Sequence, residues 1–477
     1  MKAALRLEAA QRARSFYDGA TKGRRMDGWR RPSTGPGVEI RGALRTLRDG
    51  SRDLVRNNPW AARGISAVPS HTVGYGIVPA ITHRNKRAQT RLRELAKQHF
   101  DTPAIDAAGR NNLYGLQFLA MRAIPEGGEI IARRRWRRPS DGLPLPFQVE
   151  LLESDYLDTS KDGPLPDGHV VVDGIEFDRI ARRVAYWLFD EHPGDRVRYT
   201  LRSTRVPAED VAHVYRVDRA GQNRGVPWLA PAIATLRDFA DYEDAQLLRQ
   251  KLAACFAAFE VDNTVGTETE AIPPPSLEML EPGIYERLPP GRDIRFPNMP
   301  TVEGYTDFSR VQTRKIAITL DMPEFVLTGD YSAINFSSGR LGWNTFMDSV
   351  EYWRWSMLIP QFCDRVAGWF FDAANLMVPG GVAGATCGWT PPKRQMISPQ
   401  HEVPAIKDAI RSGLMTPSEA VRERGYDAEM FWEEFRRDLA SIADLDLDSD
   451  PRKPASGNPV PARQPGAQPQ DTADGTD

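Results

Sequence analysis

The sequence predicts an α+β fold, and three observations carry that reading. Several stretches read as helices with recognisable ends, notably those opened by Asn57-Asn58-Pro59 and Thr416-Pro417-Ser418-Glu419. Between the early and late helices, residues from about 128 to 204 are rich in β-branched and aromatic side chains interrupted by Gly and Pro, the signature of a small sheet. A hydrophobic content of 41% with 26% charged residues describes a globular chain with a core, not a disordered or fibrous one. The 477 residues leave room for two or three domains.

Composition also excludes some classes. No apolar run reaches the roughly 18 residues needed to span a bilayer, so no membrane association is expected. The N-terminus, MKAALRLEAAQRARSF, carries arginines where a signal peptide needs its apolar core. Three widely separated cysteines, Cys255, Cys363 and Cys387, argue against a disulfide framework or a zinc site. They are expected to be small buried hydrophobes in a reducing, cytoplasmic setting. Charge is unevenly spread: residues 1–100 hold 21 Lys and Arg against 7 Asp and Glu, whereas residues 401–477 hold 9 against 16. A basic end fits nucleic acid, an acidic partner surface or a plain solvated face, and composition does not separate these.

In chain order, residues 1–40 form a basic arm punctuated by GWRRPSTGPG. A helical pattern starts at Arg41. A second helix is expected with Asn58 as its N-cap and Pro59 in its first turn, closed by a turn at Gly74 and Gly76. Further helices are expected over 86–101 and 112–124. The run Arg133 to Arg138 lies in a predicted strand, where alternate residues face opposite ways. Its charges should therefore divide between two surfaces; a solvated strand and a phosphate-binding patch both remain open. A long helix is expected from Trp228 to about Glu260, with charges too frequent for a membrane span. Residues 261–304 are proline-rich with strand-like pieces at GIYERL and DIRF. An excursion of this length is uncommon unless it has a function.

A helix is then expected over 305–322, ended by Pro323. Its apolar residues Phe308, Val311, Ile316, Ile318 and Leu320 do not gather on one face, as happens when a helix is touched from several sides. Leu327 to Gly342 reads as a loop rich in Gly, Ser, Asn and Asp, freed by Gly329, Gly339 and Gly342. The aromatics of 344–378 read as core. Residues 402–412 are helical, the Thr416–Glu419 capping box starts another helix closed by Gly425, and a last acidic helix follows. From Asp450 the tail is too rich in Pro, Gly and Gln to fold.

Signals for enzyme chemistry are thin. There is no G-x-x-x-x-G-K-[ST] loop and no G-x-S-x-G elbow. The seven histidines never pair at metal-ligand spacing. Asp444, Asp446 and Asp448 imitate a calcium loop, but Ser449 and Ala455 stand where that loop needs Gly and Glu. No catalytic, cofactor or metal residue is expected, and the chain is read as a non-enzyme.

Four segments, in order along the chain from Asn57 to Leu439, resemble lambda-type phage portal proteins. MPEFVLTGDYSAINFSSGR is similar to the region where the stem helix leads into the channel-facing tunnel loop. NNPWAARGI…VGYGI resembles the opening of the wing, VPAEDVAHVYRVDRAGQNRGVPWLAPAI a turn-to-helix passage of these proteins, and GLMTPSEAVRERGYDAEMFWEEFRRDL the crown. The resemblance implies a mixed α/β wing (41–240), stem helices (241–260 and 305–322), a small clip (261–304), a tunnel loop and wing return (323–352), a helical crown region (353–448) and a tail (449–477). It implies a dodecameric ring at one capsid vertex through which double-stranded DNA passes, located in the virion and, during assembly, the host cytoplasm. The implied partners are the terminase large subunit, the major capsid and scaffold proteins and the head–tail connector. Ser332, Asn335, Ser337 and Ser338 are then the small polar residues expected to touch DNA, with Arg310, Arg314 and Lys315 of the stem as further channel candidates. Arg340 either meets phosphate or pairs with Asp330 or a neighbouring acid. Two other readings stay open: a different DNA-binding structural protein using the basic first hundred residues, and a metal-dependent nuclease built from scattered acids.

Overall fold

The computed structural model describes residues 27–28, 33–195, 202–255, 259–262, 292–295, 304–377, 381–393, 396 and 398–443. Most of the basic arm, the GIYERL piece and the tail beyond 443 lie outside these residues, as does the side chain of Cys255. The chain divides into two compact units, one of Met1–Ile77 with Ile81–Cys387, the other of Val78–Ala80 with Gly388–Asp477.

The first unit opens with α1 (Pro36–Asn57), which begins five residues before Arg41. Pro36 stands at its first position, where a fixed φ and a missing N–H suit a helix start. α2 (Pro59–Thr72) is capped as expected, the Asn58 side chain accepting from the N–H groups of Trp60 and Ala61 at 3.0 and 3.2 Å. After the Gly74–Gly76 turn come β1 (Val78–Thr82), whose first three residues are counted with the second unit, α3 (Lys86–Phe100) and α4 (Leu113–Gly127). Two antiparallel sheets follow. One has the order β3-β2-β9, from β2 (Glu129–Trp136), β3 (Phe147–Glu153) and β9 (Val211–Tyr215); the other is the meander β4 (Gly163–Pro164), β5 (Val170–Val172), β6 (Ile175–Phe177), β7 (Arg183–Phe189), β8 (Ser203–Pro207). Ile131, Leu152, Ile175, Leu188 and Val211 join them in one buried cluster.

The arginine strand divides its charges as its period requires. Arg134 is buried between Asp210 and Asp372, each at 2.6 Å, while Arg135 on the opposite face meets Glu150 at 3.7 Å. Arg134 is therefore an ion-paired core residue and not a solvated one.

Two glycines fix the passage into the next helix. A Cβ on Gly225 would lie 2.1 Å from the carbonyl oxygen of Gly128, so the two backbones cross in direct contact. Beside this crossing the Glu129 carboxylate is fully buried. It accepts from the Arg224 guanidinium (2.9 and 2.5 Å), from His213 Nε2 (2.9 Å) and from the Gly225 N–H (2.7 Å). Burial alone would raise its pKa, but the Arg224 charge and the His213 bond hold it well below the usual carboxylate range.

α5 spans Ile233–Cys255, starting later and ending sooner than the predicted Trp228–Glu260. Pro227 precedes and Pro231 lies within a short 3₁₀ turn at Ala230–Ala232, which leaves Trp228 outside the helix and buried, its ring 5.0 Å from that of Trp353. Phe259–Asp262 (β10) pairs antiparallel with Arg292–Arg295 (β11), the latter overlapping the predicted DIRF piece. α6 (Tyr305–Thr319) stops three residues before the predicted end, because Leu320 leaves helical geometry and Asp321 turns to φ +51°. α7 (Glu324–Thr328) follows, then α8 (Phe336–Trp353), which continues through a π-helical segment (Arg354–Cys363) into α9 (Asp364–Met377). Pro360 lies in the widened part, where a proline cannot donate to the regular ladder. Buried Arg354 donates to the carbonyls of Thr72 (2.7 Å) and His71 (2.8 Å), satisfying the open end of α2. Phe346, Trp353, Phe362, Trp369 and Phe370 are buried, as the core reading of this aromatic stretch requires, whereas Tyr352 and Trp355 stand exposed. Cys363 is buried and Cys387, on β12 (Thr386–Thr390), half-buried.

The second unit carries α10 (Pro399–Arg411), α11 (Pro417–Glu423) and α12 (Ala428–Ala443). Thr416 and Glu419 form the predicted capping box, and Gly425 at φ +78° follows α11.

Two outcomes follow. Gly225→Ala should cost about 2–4 kcal/mol and drop the melting temperature, since the blocking atom is backbone. Gly50→Ala, in α1 with only ordinary contacts at 3.8 Å, should be neutral or slightly stabilising. His99 packs on Phe147 with ring centroids 4.6 Å apart, and neither ring nitrogen has a hydrogen-bond partner. Burial lowers its pKa to about 4, so the unfolded chain takes up this proton first as pH falls. Its contribution is present above pH 6.5 and lost progressively down to about pH 4, a loss of up to about 3 kcal/mol. His99→Phe should flatten that decline in urea titrations across the same range.

Candidate functional site

The predicted site maps to the descent from α6 through α7 into the start of α8. One side of it is core: Ile316, Ala317, Leu320, Val326 and Leu327 are buried. Gly64 of α2 makes room for this packing, since a Cβ there would lie 2.4 Å from Leu320 Cδ1. The reversal after α6 needs a left-handed residue, which Asp321 provides; Asp tolerates that geometry better than most. Pro323 then precedes α7, and Gly329 at φ +73° ends it.

The basic candidates on α6 are engaged locally. Arg310 reaches Glu324 Oε1 at 3.3 Å and Arg314 reaches Glu324 Oε2 at 2.6 Å, so one carboxylate of α7 holds two arginines of α6. Lys315 donates to Gln312 at 3.3 Å. These three residues thus tie the helical turn together in the single chain.

The loop is shorter than predicted. Of the stretch from Leu327 to Gly342, only residues 329–335 lie between helices, and α8 starts at Phe336. Asn335 is the N-cap: its side chain accepts from the Ser338 N–H at 2.8 Å, and the Ser338 hydroxyl donates to the Asn335 carbonyl at 3.2 Å. Ser337, Ser338 and Arg340 therefore belong to the first turns of a helix. Ser332 stays in the loop, where its N–H donates to Asp330 Oδ1 at 2.8 Å. The glycines also differ in role. Gly329 alone has a positive φ. Gly339 lies where a Cβ would meet Ile334 at 2.9 Å, and Gly342 where it would meet Phe325 at 3.2 Å, so both let the loop and α7 pack on the helix. Arg340 is exposed and makes no ion pair with Asp330.

The apolar surface of this region extends past the helix whose scattered apolar residues signalled it, into Tyr331, Phe336 and Leu341. Ile318 is 71% exposed and Leu341 70%, with Tyr331, Phe336 and Val311 also open to solvent. Of the scattered apolar positions of the 305–322 segment, Phe308, Val311 and Ile318 point outward, while Ile316 and Leu320 are buried. Sequence reasoning missed Glu324, whose pairing spans ten and fourteen residues.

Two clusters elsewhere gather metal-compatible side chains that are distant in sequence: Glu153, Asp155 and His192, and Asp167, His169 and Glu176. In the first, Arg52 reaches Glu153 at 2.6 Å and Asp155 at 2.7 Å, while Arg48 reaches Asp155 at 3.0 Å. In the second, Arg205 reaches Glu176 at 2.8 Å. Arginine already neutralises both, which fits structural ion pairing rather than a cation site.

A model of the family described as "Phage portal protein, lambda family" matches residues 22–354. The chain is 23% identical over 469 residues to a probable portal protein of Halomonas phage phiHAP-1, across 91% of this chain and 88% of that one. Among solved structures it is similar to a chain in the neck of a native gene transfer agent particle computed with C12 symmetry (TM-score 0.47, 16% identity, 83% of this chain and 95% of the other). It is likewise similar to one in the neck of the empty particle computed with C6 symmetry (TM-score 0.48, 16% identity, 84% and 97%).

Asn335→Ala should destabilise by about 1 kcal/mol through loss of the cap. Ser332→Ala and Ser337→Ala, exposed and away from the cap acceptor, should stay within about 0.5 kcal/mol of the parent in denaturant titrations.

Proposed function

The chain belongs to the lambda family of phage portal proteins, and we propose that its copies close into a dodecameric ring at one capsid vertex, with the segment from Asp330 to Leu341 facing the channel that double-stranded DNA threads. One observation carries the ring: Val311, Ile318, Tyr331, Phe336 and Leu341 stand in solvent around a single helical descent whose other side is fully packed. A soluble chain gains by covering such a surface, and neighbouring copies are the partner a portal protein has at hand. Closed symmetry then presents the same short polar loop, with Ser332, Asn335, Ser337 and Ser338, many times around one axis.

On this reading the sheets and early helices form the wing. The ends of α5 and α6 form the stem, the β10–β11 ribbon belongs to the clip, and α10–α12 to the crown. The terminase large subunit, the capsid and scaffold proteins and the head–tail connector are the partners this role requires, and the virion is its place after assembly in the host cytoplasm. The role needs positioning and passage but no bond chemistry.

Light scattering should give a mass near twelve times the 53.4 kDa chain. Ile318→Asp should block assembly while leaving the melting of the single chain unchanged, because the residue is exposed. A monomer at every salt concentration would remove the ring. Replacing residues 332–334 by Gly and Ser of equal length, which spares the Asn335 cap and the apolar Tyr331, should keep rings intact and alter DNA packaging or retention. Normal retention would remove the channel assignment.

A further inference from the structure

The helices of the second unit enclose a cleft of ≈ 330 Å³ lined by apolar side chains, among them Val403, Ile406, Val421, Tyr426, Phe431 and Trp432. Its aromatic wall is ordered. Phe431 meets Trp432 edge-on at 5.3 Å and Tyr426 at 6.0 Å, and Phe435 extends the row at 6.0 Å from Phe431. No residue of α10 or α11 is buried, so the cleft is open apolar surface between these helices and α12.

We propose that the proline-rich tail of this chain, centred on PVPARQP at residues 459–465, docks in this cleft as a polyproline II strand. Chain length permits it. The described helix ends at Ala443, eleven residues beyond Trp432 and so about 17 Å along α12. Residues 444–458 extend to about 50 Å, ample to return to the cleft of the same copy. The chemistry matches: a polyproline II segment is extended before binding, loses little entropy, and lays its rings on aromatic-lined grooves. Charge also matches. Arg452, Lys453 and Arg463 accompany the prolines, whereas residues 398–443 hold nine acidic residues against six basic ones, Arg424 of the cleft wall among the latter.

The inference stands independently of the ring, because cleft and tail belong to one unit. The test uses the chain lacking residues 451–477, in whatever oligomeric state it adopts, titrated with a fluorescein-labelled peptide of residues 451–470 and followed by anisotropy. Saturable binding is expected, weakened at least tenfold by Trp432→Ala and also by Val403→Asp, a half-exposed position whose charge enters the cleft without removing core. A peptide with Pro459, Pro461 and Pro465 changed to Ala should likewise bind at least tenfold more weakly. In the full-length chain the same labelled peptide should bind more weakly than to the truncated one, since the attached tail competes. Absence of binding to the truncated chain, equal binding by the cleft variants, or equal binding by full-length and truncated chains would each overturn the proposal. So would loss of assembly in Val403→Asp with unchanged peptide binding, which would make a second copy the occupant.

Discussion

The fold depends on one carboxylate kept charged where there is no water. Glu129 opens the central strand and is wholly enclosed, with Arg224, His213 and the Gly225 amide supplying its hydrogen bonds. An ion pair so deep gains little over a well-packed apolar alternative, yet removing one partner strands the other at a cost of about 3–5 kcal/mol. Its value here is positional. It fixes the turn at 224–225 against the strand at 128–129 to within a backbone contact. The Pro-Trp that follows is thereby aimed at Trp353, in the middle of the long helix descending from the candidate site. The β3-β2-β9 sheet, α5 and α8 thus share one reference point.

The environment of this cluster is acid-sensitive in a single direction. Burial lowers the pKa of His213 as it does that of His99, and Glu129 is held charged by Arg224. Each of the three favours fewer protons in the folded state than in the unfolded one. Stability is therefore complete at neutral pH and is lost as pH falls, through the histidines first and the carboxylate last.

Local chemistry was legible in the sequence, and distant pairing was not. Asn58 before Pro59 and Thr416 before Glu419 are caps whose acceptor and donors lie within three residues, so the residue types alone identify them. Asn335 is a cap of the same kind, yet it was hidden by the Ser, Gly and Asp around it, which read as loop. Only the structure shows that Gly339 and Gly342 are small to admit Ile334 and Phe325, rather than to bend the chain. The Glu129–Arg224 pair joins residues 95 positions apart, and no period or spacing in one sequence encodes such a contact.

The pairing of α6 with α7 bears on how a channel would treat its cargo. A duplex moving past a protein is retarded by every phosphate it neutralises, and each contact adds about 0.9 to the salt dependence of binding. In a ring the count is multiplied by the number of copies. Arg310 and Arg314 would offer two cations per chain, roughly two dozen in a dodecamer; the single negative charge of Glu324, which both meet, halves that net charge. With them engaged, Arg340 is the cation left exposed among the first turns of α8, beside serines that carry no charge. The same glutamate that closes the turn structurally therefore lowers the positive charge of the surface proposed to face DNA. That combination favours passage over retention.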